Sequence, residues 1–276
     1  MGIRDSLKNK KRIVIKIGSS SLFHVETGKH DLLKIEKLVR IISDLVNQGK
    51  DVALVSSGAI ATGRNKLGFE NADLTLPEKQ ACASIGQTQL ITIYQRLFSE
   101  YGKVAAQVLL TRYTINSYRS RFNAENTFNE LFKLGAVPVV NENDTVTTNE
   151  IKFGDNDVLS AIVAVLADAD LLINMSDIDG LYEDNPKENK NAKLISYVES
   201  LNENIVQMGK GSSSRYGSGG MASKLEAAEI TTRSGIDMII ANACDVGNIY
   251  KILNGEEIGT FFKASPYKTF EFAEED

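Results

Sequence analysis

The stretch "IVIKIGSSS", residues 13–21, decides the fold. A short run with strand character, apolar on successive rather than alternate residues, turns abruptly into a glycine and three serines. Successive apolar positions mark a strand covered on both faces, which is the habit of parallel sheets between helices. The pattern repeats at "DVALVS" 51–56, "KVAAQVLL" 103–110, "AVPVVN" 136–141, "DLLINM" 170–175 and "IDMIIAN" 236–242. Between these runs lie helical stripes: Ile35, Leu38, Val39, Ile42, Leu45 and Val46 in one, Val158, Leu159, Ile162, Val163 and Leu166 in another. Strand and helix in alternation predict an α/β fold, a mostly parallel central sheet inside a three-layer αβα sandwich. No linker rich in Pro, Gly or Ser divides the chain, so one continuous sheet with two lobes is expected.

The turns that follow the strands are the informative part. The first strand runs into "GSSS", the second into "SSGA", the fourth into "NEND", the fifth into "SDIDG" and the sixth into "NACD". Open parallel sheets bind ligands at the carboxyl ends of their strands. Small residues there let backbone N–H groups approach an anion with no Cβ in the way. Any one such turn is ordinary α/β punctuation. Several on one edge, joined by two well-placed lysines, point to a polyphosphate.

Those lysines are Lys16 and Lys224. Lys16 interrupts the first strand two residues before its turn, where an ammonium is costly unless it meets an anion. Lys224 opens a helix behind "GSSSRYGSGG", residues 211–220, and helix N-termini favour negative charge. The loop fits neither G-x-x-x-x-G-K-[ST] nor a G-x-G-x-x-G that follows a strand. A second polar cluster comprises "NENDTV" 141–146, with Asn141, Asn143 and Asp144, and "GDND" 154–157, with Asp155, Asn156 and Asp157. Capping explains one of these residues, not all of them. Carboxylates for an ammonium and amides for a carboxylate suit a small zwitterion; metal ligation by the aspartates is the competing reading. His24 and His30 lie in an early loop and are expected at the surface. No nucleophile–base pair is evident. A carboxylate acceptor is already ionised at pH 7 and needs no base, only positioning and charge neutralisation.

Composition sets the outer limits. The 276 residues carry a net charge of −5, which disfavours nucleic acid as the main partner. Two cysteines, Cys82 and Cys244, stand far apart without metal-ligand spacing, as in a reducing, cytoplasmic protein. No apolar run reaches a membrane span, and the charged start followed by "IVIKIG" is not a signal peptide. "MGIRDS" meets the loose acylation pattern, but so short a match is a chance one. The acidic end "EFAEED" is expected to be unstructured.

The segments "VIKIGSSSL", "VSSGAIATGRNKLG", "KQACASIGQ", "PVVNENDTV", "IKFGDNDVLSAIVA", "SDIDGLYEDNP" and "GSGGMASKLEAA", in this order over residues 12–262, resemble the glutamate 5-kinases of the amino acid kinase family. The resemblance implies transfer of the γ-phosphoryl of ATP, with Mg²⁺ held mainly by the nucleotide, to the side-chain carboxylate of L-glutamate in proline biosynthesis. It implies that Lys16 and Lys224 neutralise the transferring group and that Asp157 holds both. Gly18 and Gly58 would present backbone donors to phosphate. Ser57, Asp144 and Asn156 would bind glutamate, with Asn141 and Asp155 nearby. Ser176 and Asp177, with Ser218, Gly219, Gly220, Met221, Ala222, Ser223 and Lys224, would line the ATP site. The implied lobes are a glutamate-binding one over 12–168 and an ATP-binding one over 169–262, followed by a tail over 263–276. Family members often continue into a PUA domain, for which a chain ending at Asp276 leaves no room. Implied partners are a second copy of the chain, proline as feedback inhibitor and a glutamate-5-semialdehyde dehydrogenase that takes the unstable product. The rival readings are a kinase for N-acetylglutamate, aspartate, carbamate or UMP, and a non-catalytic nucleotide sensor.

Overall fold

A computed structural model of the chain describes residues 2–69, 72–147, 156–186, 188–202, 205 and 220–272. Its strands are β1 (Arg12–Ile17), β2 (Asp51–Ser56), β3 (Ala105–Leu110), β4 (Val137–Glu142), β5 (Leu171–Ser176), β6 (Tyr197–Val198), β7 (Asp237–Asn242) and β8 (Thr260–Phe262). They form one sheet in the order β3-β4-β2-β1-β5-β7-β8-β6. The pairs β2–β4, β3–β4, β5–β7 and β6–β8 are parallel, and β7–β8 is antiparallel. All six residues of β4 and of β5 are buried, so both faces of these strands are covered, as the unbroken apolar runs predict. β6 and β8 were not expected. The expected third strand began at Lys103, whereas β3 begins at Ala105 and leaves Val104 68% exposed.

The chain forms two compact units, one from the described residues of 17–153 with Phe272, the other from those of 1–16 with 154–271. The expected lobe boundary at 168/169 differs from this division. The first unit holds α1 (Leu32–Asn47), α2 (Ala59–Leu67), α3 (Leu76–Glu100), α4 (Arg112–Asn116) and α5 (Tyr118–Lys133). Asp31 caps α1 by accepting from the Lys34 N–H at 3.0 Å, and the stripe from Ile35 to Leu45 is buried. α3 opens on a capping box: the Thr75 N–H donates to Glu78 Oε2 at 2.8 Å, and Pro77 sits in the first turn. α2 and α3 cross with their backbones touching. A Cβ on Gly63 would overlap the Cys82 carbonyl, and one on Gly86 would overlap that of Ala59. At the C-terminal end Phe272 lies under the Arg121 guanidinium, 4.9 Å from ring centre to Cζ, so the expected unstructured tail has an ordered start.

The second unit holds α6 (Asn156–Leu166), α7 (Met221–Arg233) and α8 (Asn248–Leu253), with a 3₁₀ helix over Asp5–Asn9. α6 buries Val158, Leu159, Ile162, Val163 and Leu166, and it packs on α7 and β5. Buried Arg4 ties the first residues to the last strands. Its Nη1 donates to the carbonyls of Glu256 and Ile258, and its Nη2 to those of Ser196 and Gly259, at 2.6–3.1 Å.

Candidate active site

In the second unit three charged side chains meet almost wholly shielded from water. Lys16 from β1 and Lys224 from the first turns of α7 are each 4% exposed, and Asp157, the second residue of α6, is fully buried. Lys16 Nζ pairs with Asp157 Oδ1, and Lys224 Nζ donates to Oδ2 at 2.9 Å. Asn174 Nδ2, from β5, donates to Oδ1 at 2.8 Å, and Ser223 Oγ donates to Oδ2 at 3.2 Å. Burial alone would push the Asp157 carboxyl up. The two ammoniums and their hydrogen bonds outweigh it and hold the group well below the usual carboxylate range. Among the described residues this sets two formal positive charges against one negative. Such an excess is unfavourable unless an anion completes it.

Around this centre Gly220 caps α7, its carbonyl accepting from Ser223 Oγ at 2.9 Å, with Met221 and Ala222 in the first turn. At the carboxyl end of β5 the buried Ser176 donates to Asp177 Oδ1 at 3.1 Å, while Asp177 is exposed. The turns after β5 and β7 are joined where Asn242 Nδ2 donates to Asp179 Oδ1 at 2.8 Å. Asn156, half-buried, opens α6. Asp155, Ser218 and Gly219 lie outside the described residues.

The first unit carries the remaining candidates. Gly58 caps α2 at φ +99°, a left-handed conformation in which a side chain is strained, and a Cβ there would strike the Phe23 ring at 2.7 Å. Phe23 stacks on His30 at 4.7 Å, His30 Nε2 meets Thr62 Oγ1 at 3.0 Å, and Thr62 Oγ1 donates to the Gly58 carbonyl at 2.8 Å. His30 was expected at the surface; it is half-buried, and burial lowers its pKa. This chain of contacts fixes the turn that holds Ser57 and Gly58, both half-buried. Just before it, Ser56 Oγ lies 2.9 Å from the Tyr94 hydroxyl, whose pKa burial pushes up to about 12. Gly18 caps a 3₁₀ turn over Ser19–Ser21. Asn141 Nδ2 donates to Gln87 Oε1 at 2.8 Å, both side chains buried. The half-buried Asp144 sits in a turn closed by Thr147, whose hydroxyl donates to the Asn143 carbonyl and whose own carbonyl accepts from Gln80.

The structure thus brings Lys16, Asp157, Ser223 and Lys224 together. Sequence reasoning missed Asn174 and the Phe23–His30–Thr62 support. Asn174 was detectable on the ground that singled out Lys16: a polar side chain inside an unbroken apolar strand.

The fold is that of the amino acid kinases. It is shared with UMP kinase from Bacillus anthracis (TM-score 0.63, 17% identity, 92% of this chain and 96% of that one) and with isopentenyl phosphate kinase from T. acidophilum in a product complex (TM-score 0.63, 18% identity, 92% and 100%). The model of the amino acid kinase family matches residues 11–242. The glutamate 5-kinase of Carboxydothermus hydrogenoformans is 54% identical over 261 residues, 94% of this chain and 70% of that one. The glutamate 5-kinase of Clostridium perfringens is 48% identical over 266 residues, 95% and 98%. The chain belongs to the amino acid kinase family, on the branch of the glutamate 5-kinases. Among the described residues no helix is long and apolar enough to cross a membrane.

Proposed function

We propose that this chain transfers the γ-phosphoryl group of ATP to the side-chain carboxylate of L-glutamate, forming L-glutamyl 5-phosphate and ADP at the start of proline biosynthesis. The observation that carries the reading is the buried Lys16–Asp157–Lys224 group, in which one carboxylate holds two ammoniums. In a loose transition state negative charge spreads over the transferring group and the leaving oxygen, and the protein contributes preorganised positive charge. Lys16 and Lys224 supply it, and Asp157 holds both ammoniums in place before substrate arrives. One glutamate carboxylate oxygen forms the new P–O bond as the bond to the ADP oxygen breaks; no proton has to move.

Backbone N–H groups at Gly18 and Gly58 serve the phosphates. Ser57, Asn141, Asp144, Asp155 and Asn156 serve glutamate, with a carboxylate such as Asp144 facing its ammonium. Ser176, Asp177 and residues 218–224 serve the nucleotide. Both oxygens of Asp157 are engaged by ammonium, amide and hydroxyl donors, a set that does not suit this carboxylate as a metal ligand. Mg²⁺ therefore enters on the nucleotide, where it neutralises phosphate charge. Proline, in shape a cyclised glutamate, competes at the acceptor site, and the working form is an oligomer of identical chains. Because an acyl phosphate is labile, a glutamate-5-semialdehyde dehydrogenase consumes the product promptly.

The test is a substrate screen with ATP and Mg²⁺, trapping acyl phosphate with hydroxylamine. L-Glutamate should give γ-glutamyl hydroxamate in preference to products from N-acetylglutamate, aspartate or carbamate. Turnover that depends on UMP instead, or ATP binding with no turnover of any acid, would defeat the proposal.

A further inference from the structure

β5 is buried along its whole length, and in that run Asn174 is fully enclosed. Its Nδ2 donates to Asp157 Oδ1 at 2.8 Å, while its Oδ1 finds no hydrogen-bond partner among the described residues. The orientation of the amide is set by chemistry, since the flipped form would place its oxygen against a carboxylate oxygen. A buried carbonyl without a partner is unfavourable, and leucine at this position would avoid it. The amide is therefore accounted for by what its N–H does.

Among the described residues each Asp157 oxygen takes an ammonium and a neutral donor: Lys16 with Asn174 on Oδ1, Lys224 with Ser223 on Oδ2. Ser223 precedes Lys224 on α7, so its bond follows that helix. Asn174 sits on β5, within the sheet, and is the neutral donor that references the carboxylate to the strands. We propose that Asn174 is a positioning residue for phosphoryl transfer, fixing the Asp157 carboxylate so that Lys16 and Lys224 are held on separate oxygens. Without it the carboxylate can turn about its Cβ–Cγ bond, and Lys16 loses its aim. The inference rests on the reading of the two lysines as the phosphoryl-transfer pair.

The experiment compares Asn174→Leu, and the smaller Asn174→Ala, with wild type in steady-state kinetics and thermal unfolding. Misplacing a catalytic group by a fraction of an ångström is expected to lower kcat about tenfold. The KM values for ATP and glutamate should stay within about twofold, because Asn174 is fully enclosed and its Nδ2 is engaged by Asp157. In a Lys16→Ala background the same substitution should lose most of its effect, since the ammonium sharing Oδ1 is gone. Wild-type kcat in both variants, or a lowered melting temperature with kcat intact, would assign Asn174 to packing and overturn the proposal. So would an undiminished tenfold loss in the Lys16→Ala background. Near-normal turnover by Lys224→Ala would instead defeat the underlying reading of the lysine pair, and so separates the two failures.

Discussion

Two groups of one aspartate and two lysines stand in one unit of this molecule, and they do different work. Asp157 lies between Lys16 and Lys224; Asp237, the first residue of β7, lies between Lys10 and Lys263. Both carboxylates are fully buried, and both are held below their ordinary pKa although burial alone would push them up. The lysines differ. Side chains of Lys16 and Lys224 are each 5% exposed, whereas those of Lys10 and Lys263 are 15% and 40% exposed. At Asp237 the surplus positive charge is dissipated in water, and the Ala264 N–H completes the carboxylate at 2.8 Å. At Asp157 both ammoniums are shut in with their carboxylate, an arrangement suited to receive a further anion. Exposure of the cations, rather than the presence of an ion triad, separates a site that closes a structure from one that awaits a ligand.

The comparison can be broken most directly at the carboxylates. Asp157→Ala removes the carboxylate that pairs with two buried ammoniums and should cost about 3–5 kcal/mol of stability together with measurable activity. Denaturant unfolding checks it, and a cost near zero would mean that the two lysines are wetter than described. Next in size is Lys224→Ala. It should fold, still bind ATP and lose about 10²–10³ in kcat, or ~2.7–4 kcal/mol. Lys224→Arg should rescue poorly, because a planar guanidinium does not replace a compact ammonium. The Lys16→Ala, Lys224→Ala double variant should lose less than the product of the single losses, measured as kcat.

The other triad should answer in stability alone. The folded Asp237 carboxyl binds its proton less readily than the unfolded one, whose pKa is about 3.9. Its stabilisation is therefore complete above that value and is lost as pH falls through the folded pKa. Asp237→Asn should weaken the protein at neutral pH and flatten the decline in stability on acidification between roughly pH 5 and 2. Parallel pH profiles for variant and wild type would contradict the assignment. The smallest effect belongs to Lys263→Ala: within about 1 kcal/mol on unfolding, weaker still in high salt, with kcat unchanged. A tenfold fall in kcat here would erase the distinction between the two triads.

Much of this was legible in the chain because burial is selective. β1, β2, β4, β5 and β7 could be read because unbroken apolar runs of this length belong inside a sheet, and Lys16 because it breaks one. α1 and α6 followed from their stripes. β6 and β8, of two and three residues, are too short to show any period; they exist through pairing with each other and with β7. The capping signal of α3 at Thr75, Pro77 and Glu78 is local but was not read, whereas the support of Gly58 by Phe23, His30 and Thr62 depends on contacts no local pattern announces. Among the site residues, Lys224 and Asp157 were legible as charges beside helix starts. That Ser223 also binds Asp157 was visible only in space.

The Arg4 clamp carries a consequence for the newborn chain. Its last acceptor, the Gly259 carbonyl, is 255 residues further along. At about 5–20 residues per second, a ribosome reaches that point roughly 13–50 s after Arg4 has been made. Until Ser196, 192 residues along, has been made the guanidinium has none of its four carbonyls, and the helix Asn248–Leu253, against which the segment of buried Leu7 packs, comes later still. The segment before β1 is thus secured only after the strands that follow it, and the sheet edge formed by β8 and β6 closes only once residues 260–262 have been made.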